Sequence, residues 1–126
     1  MSHNSEEKRK YIRLNAGTEA RLKVKNSQGK SAGFENDLAF VRNISLEGVG
    51  LAYDKPLNID DKVELELYLQ DDLQPTHIIG QVRRIKEFDN EQHQEFKYEI
   101  GIKILSISKE DEYKFTSYVW KKIKEL

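Results

Sequence analysis

Along most of the chain, apolar and polar residues alternate with a period of two. Between Thr18 and Lys25, Ala20, Leu22 and Val24 are set against Glu19, Arg21, Lys23 and Lys25, which predicts a strand with one buried face. The same pattern predicts strands over 38–44, over 48–53 with Val49, Leu51 and Tyr53 inward, and over 63–69. In the last of these Val63, Leu65, Leu67 and Leu69 point in, and Glu64, Glu66 and Tyr68 point out. Pro56 stops the third strand, because a proline cannot donate to a central ladder. A fifth run over 77–88 passes through the polar tip 89–94 into a sixth over 96–105, where Phe96, Tyr98, Ile100, Ile102 and Ile104 share a face.

Ser108 then changes the period. With Asp111 three residues on, it reads as an imperfect capping box, followed by the helical stripe Phe115, Val119, Ile123 and Leu126, widened by Tyr118 and Trp120. Six antiparallel strands on short polar links predict a mainly β fold closed or nearly closed into a barrel, which leaves no exposed edge. The helix is expected to pack against the barrel or plug its end. The expected organisation is one domain, with a flexible N-terminal arm over 1–17, a barrel over 18–107 and the helix over 108–126.

At 126 residues the chain is the length of one domain with a core of its own. It has no cysteine, so disulfides and thiolate metal sites are excluded, and a reducing cytosol is the expected setting. No apolar run is long enough to span a bilayer, and no membrane insertion is expected. The formal charge of −1, from 21 basic and 22 acidic residues, gives no global field that would draw DNA. The distribution is uneven, +4 over 1–26 and −5 over 54–72, which places anion capture at the N-terminal end.

Two stretches carry candidate chemistry. Arg9 and Arg13, four apart, fall on one side of the chain and offer two planar forks suited to phosphate oxygens or to guanine O6 and N7. A solvated basic tail is the alternative for them. Asn43 and Ser45 leave one face of an extended backbone and together can read the edge of a planar heterocycle, with Gly48 and Gly50 keeping the space above them open. The alternatives are side chains that bond the local backbone and a plain hairpin or bulge glycine. Arg83 and Arg84 are expected on opposite faces of the fifth strand, so at most one reaches the same surface. His3, His77 and His93 lack metal spacing, Asp60-Asp61 and Asp71-Asp72 read as solvated loops, and no nucleophile or phosphate loop is present. Neither an enzyme nor a cofactor is expected.

Arg9-x-x-x-Arg13 followed by Asn43-x-Ser45-x-x-Gly48 resembles the signature of PilZ domains, bacterial receptors for cyclic di-GMP. A Gly-x-Val-x-Arg-Ile strand at 80–85, a Gly-Ile-Lys-Ile strand at 101–104 and a terminal helix follow in that family's order. The resemblance implies a six-stranded barrel with a C-terminal helix, acting in the bacterial cytoplasm with cyclic di-GMP as ligand. Arg9 and Arg13 would hold phosphates and guanine edges, Asn43 and Ser45 would bond a guanine, and Gly48 would give clearance. Lys8, Lys10 and Arg84 are further candidate contacts. With Lys8, Arg9, Lys10 and Arg13 in one segment, the charge leans toward a stacked pair of nucleotides. No fused output domain is expected, and the signal is expected to leave through an unidentified downstream protein after the arm moves across the barrel. The competing readings are a PilZ-like interaction module without nucleotide and, further off, a single-stranded RNA-binding barrel, against which Tyr68 between Glu64 and Glu66 has the wrong electrostatics.

Overall fold

The computed structural model describes residues 14–25, 37–69, 74–88 and 96–125. Its strands are β1 (Leu14–Lys25), β2 (Asp37–Ile44), β3 (Gly48–Tyr53), β4 (Lys62–Leu67), β5 (Thr76–Glu87) and β6 (Tyr98–Ile107). They close into an antiparallel barrel in the order β1-β2-β3-β6-β5-β4, followed by one helix, α1 (Lys109–Lys124). The expected mainly β architecture is thus the one found.

The alternating positions explain the closure. Leu22, Leu51, Leu65, Ile78 and Ile100 are at most 1% exposed, one from each of five strands, and Ile44 of β2 completes the ring. Fully burying such a side chain contributes about 1.5–3 kcal/mol. Element ends differ from the sequence reading where apolar alternation is absent. β1 begins at Leu14, before Thr18, and its pairing with β2 is irregular between Asn15 and Thr18. β4 stops at Leu67, yet Leu69 beyond it is still buried at 1% exposure, while β6 runs on to Ile107 through pairing with Ile78 of β5.

Polar groups fasten the barrel ends. The hydroxyl of Tyr53 donates to Asp37 Oδ2 at 2.7 Å, and Lys55 Nζ reaches the same oxygen at 2.8 Å, which ties the start of β2 to the end of β3. The Lys55 ammonium holds the Asp37 carboxyl below its ordinary range, whereas burial, and then the Asp37 carboxylate, push the Tyr53 phenol well up. Asp61 is buried rather than solvated, accepting the Asn58 N–H at 3.0 Å, and Asp60 before it takes the left-handed φ of 75°.

Ser108 caps α1 as expected, its Oγ accepting the Asp111 N–H at 3.3 Å. The Asp111 carboxylate does not complete the box. It accepts the N–H of His77 at 3.0 Å and so pins the helix start to β5. Phe115, Tyr118 and Val119 are buried and Ile123 packs beside them, but Trp120 is 49% exposed and is not part of the stripe. The helix lies against β5 and β1.

Candidate functional site

Small residues on the two middle strands of the β2-β3-β6-β5 face make a trough on the outside of the barrel. Val49 and Leu51 point inward from β3, and Ile100 and Ile102 from β6, so Gly50 and Gly101 between them face out. Cross-strand pairing sets Asn43, Gly50, Gly101 and Arg84 in one row over β2, β3, β6 and β5. Each glycine makes room for the large residue beside it. A Cβ on Gly50 would stand 2.5 Å from Asn43 Oδ1, and one on Gly101 would stand 3.3 Å from Arg84 Nη2. The row is therefore a backbone floor with an amide lying in from one side and a guanidinium from the other.

The turn between β2 and β3 fixes Asn43. Ser45 Oγ accepts the N–H groups of Glu47 and Gly48, each at 3.2 Å, and the Ser45 N–H donates to the Gly48 carbonyl at 2.9 Å. At 8% exposure, Ser45 spends both acceptor positions on the turn, and its hydroxyl donates to the Gly48 carbonyl over a long 3.4 Å between oxygens. The turn is bound in turn to β6, whose Ile104 N–H donates to the Glu47 carbonyl at 3.0 Å.

Gly48 has a role in the barrel itself. A Cβ there would stand 2.6 Å from the carbonyl oxygen of Ile102, a backbone atom that cannot swing away. Gly48→Ala is accordingly expected to cost about 1–3 kcal/mol of stability by forcing β3 and β6 apart. Chemical denaturation would measure it, and an unchanged midpoint would show that the strands yield without strain.

Arg83 and Arg84 are both exposed, not on opposite faces. The β5–β6 register slips between Val82 and Arg84, and the extra residue lets two neighbours point outward together. The same device acts in β2, where the register slips between Val41 and Asn43 and leaves Arg42 exposed beside Asn43. The slip lets Val41 and Ile44 both face the core with Arg42 and Asn43 both outside it. The Arg42 guanidinium lies 5.0 Å from the ring centre of Phe88, which follows β5, so that the pair bridges the trough across β3 and β6. Phe40 and Phe96 meet edge to face, 5.4 Å apart, on the same side of the barrel.

Lys8, Arg9, Lys10 and Arg13 lie outside the described residues. The strand that follows them is informative, because β1 starts at Leu14, pairs it with Ile44 and pairs Asn15 with Asn43. The chain thus enters the barrel beside the Asn43 and Ser45 stretch. On the opposite side of the barrel, a cleft of about 310 Å³ is lined by Arg21, Lys23, Glu64, Glu66 and His77. Its charges offset one another, whereas in the trough the described side chains nearest the glycine floor are the Asn43 amide and the Arg84 guanidinium. Among the described residues no group of His, Asp and Glu could hold a metal, and no helix is long and apolar enough to cross a membrane.

A closed antiparallel barrel whose face carries a glycine-floored trough defines a small binding domain, and comparison identifies which. The model of the PilZ domain family matches residues 7–119, and the chain belongs to that family. It is similar in structure to the PilZ domain of Escherichia coli YcgR with c-di-GMP, at a TM-score of 0.66 and 17% identity over 94% of this chain and 93% of that one. The Bacillus subtilis inhibitor of motility MotI/DgrA gives a TM-score of 0.69 at 16% identity, over 94% of this chain and 52% of that one. The K. pneumonia MrkH–c-di-GMP complex gives 0.66 at 16% identity, over 94% and 53%. The chain thus spans about half the length of MotI and MrkH. No curated protein sequence matches it.

Proposed function

We propose that the chain is a bacterial cyclic di-GMP receptor that binds the nucleotide in the trough and passes the signal to another protein. The row Asn43-Gly50-Gly101-Arg84 carries this reading. Its amide offers a donor pair and an acceptor to a guanine edge, and where the two side chains yield, a floor of glycine would let a planar ring approach the backbone. Arg84 supplies a flat cation at the far wall, for a base face or a phosphate. Arg9 and Arg13 belong to the segment leading into β1 next to Asn43, where their forks would take phosphates and a second guanine edge. Ser45 holds the turn that aims Asn43, and the proton it engages only weakly is free for the ligand.

Two of the structurally similar proteins, YcgR and MrkH, are seen with c-di-GMP, which supports the same ligand class here. Binding without turnover is the activity proposed, since an amide and a guanidinium over a glycine floor suit recognition. The near-neutral charge of the chain favours a protein over DNA as the downstream partner. As the receptor of an intracellular messenger it would work in the cytoplasm.

Isothermal titration with cyclic di-GMP tests the reading. Saturation is expected at two nucleotides per chain, because Lys8, Arg9, Lys10 and Arg13 offset the phosphate repulsion of a stacked pair. Arg13→Ala should weaken binding by about 2 kcal/mol, the scale of a hydrogen bond to a charged group, and leave the melting temperature unchanged. No heat of binding with folded wild-type protein would favour an interaction module that has no nucleotide.

A further inference from the structure

The contact between Arg42 and Phe88 has no evident place in the barrel's own stability. Both residues lie outside the core, and Arg42 is a bulge residue turned out of β2 beside Asn43. Its guanidinium carbon stands over the Phe88 ring, 5.0 Å from the centre, within reach of the ring's electron-rich face. The next side chain along β2 is the Asn43 amide that lies over the Gly50 floor. A planar group settling on that floor therefore comes within reach of the guanidinium that Phe88 now occupies.

We propose that Arg42 is a purine-stacking residue of the trough and that Phe88 competes with the ligand for it. In the free protein the phenyl ring occupies the guanidinium face. In the complex a guanine, edge-bonded by Asn43, takes that face and Phe88 swings away from the end of β5. The inference rests on the nucleotide reading above and assigns that site a residue of its own, outside the arginine segment and the Asn-x-Ser-x-x-Gly stretch.

Competition makes the two partners' substitutions act in opposite directions. Arg42→Ala should weaken cyclic di-GMP binding about tenfold, within the range that one base stack contributes. Arg42→Lys should weaken it almost as much, because an ammonium keeps the charge and loses the plane. Phe88→Leu removes the competitor and should tighten binding by about twofold to fivefold, the scale of an exposed cation–π contact. Titration calorimetry on the full chain, with melting temperatures alongside, reads all three.

Unchanged affinity in Arg42→Ala, or full recovery by lysine, would overturn the stacking role and leave the receptor reading intact. Weaker binding in Phe88→Leu would place the base on the phenyl ring and overturn the competition. A lowered melting temperature at constant affinity would make the pair a structural contact only. Wild-type protein that takes up no nucleotide removes both this inference and the function on which it rests.

Discussion

Replacing Phe115 by alanine is expected to lower the unfolding free energy by about 3–5 kcal/mol, the cost of truncating a fully packed aromatic. Phe115 is 1% exposed and, with Tyr118 and Val119, is what α1 buries. Sixteen residues make a helix that is marginal alone, even with Glu110, Asp111 and Glu112 in its first turn and Lys121, Lys122 and Lys124 in its last to suit the dipole. Docking on β5 and β1 must therefore stabilise it, helped by the Lys114 ammonium on the Gln74 carbonyl at 3.0 Å. For a domain of this size the loss corresponds to a melting temperature about 10–20 °C lower. Nucleotide affinity measured below the transition should be unaffected, because the trough lies over β3 and β6 while the helix lies over β5 and β1. A shift of only a few degrees would mean that the helix rests loosely on the barrel.

The barrel is legible because the strands alternate over most of their length and most inward residues are aliphatic or aromatic. Val49, Leu51 and Tyr53 needed no tertiary information, and β3 begins and ends where the pattern does. Where alternation carries no apolar residue it carries no signal. Leu14 and Asn15 are held in β1 by pairing with Ile44 and Asn43 of β2, a long-range effect that no local window contains. Trp120 misled in the opposite sense. Its size suggested burial, but its place on the helix turns it from the barrel.

The site was legible in its residues more than in their roles. Asn43, Ser45 and Gly48 sit together at the β2–β3 turn, where Gly48 meets the Ile102 carbonyl and Ser45 bonds its own turn. These are the bland alternatives that residue type alone always permits. What the sequence hid was the row. Gly50, Gly101 and Arg84 lie far apart along the chain and meet only through the registers β3–β6 and β5–β6, the second of which contains a slip that sequence does not announce. A slip of the same kind in β2 sets Asn43 outside the core beside Arg42.

Gly50→Val should abolish most nucleotide binding, by about a hundredfold or more, while changing stability little. Gly50 sits in the regular strand β3, so a β-branched residue suits its backbone. Its Cβ, however, would stand 2.5 Å from Asn43 Oδ1, and the amide must rotate off the floor to admit it. Two losses then coincide. The floor gains an isopropyl group where a purine face would approach, and Asn43 loses the orientation that lets it read a base edge. A buried edge left without its partner costs about 1–3 kcal/mol, and steric exclusion adds to that, so about 2.7 kcal/mol, the equivalent of a hundredfold, is a lower expectation. Because Asn43 is a flexible side chain and not backbone, the clash is relieved without opening the barrel, in contrast to alanine at Gly48. Calorimetric titration and thermal melts of the two variants together separate floor from frame. Gly48→Ala should lose stability with affinity retained in its folded fraction, and Gly50→Val should lose affinity with its melt intact. Wild-type affinity in Gly50→Val would move the ligand off the Gly50–Gly101 floor altogether.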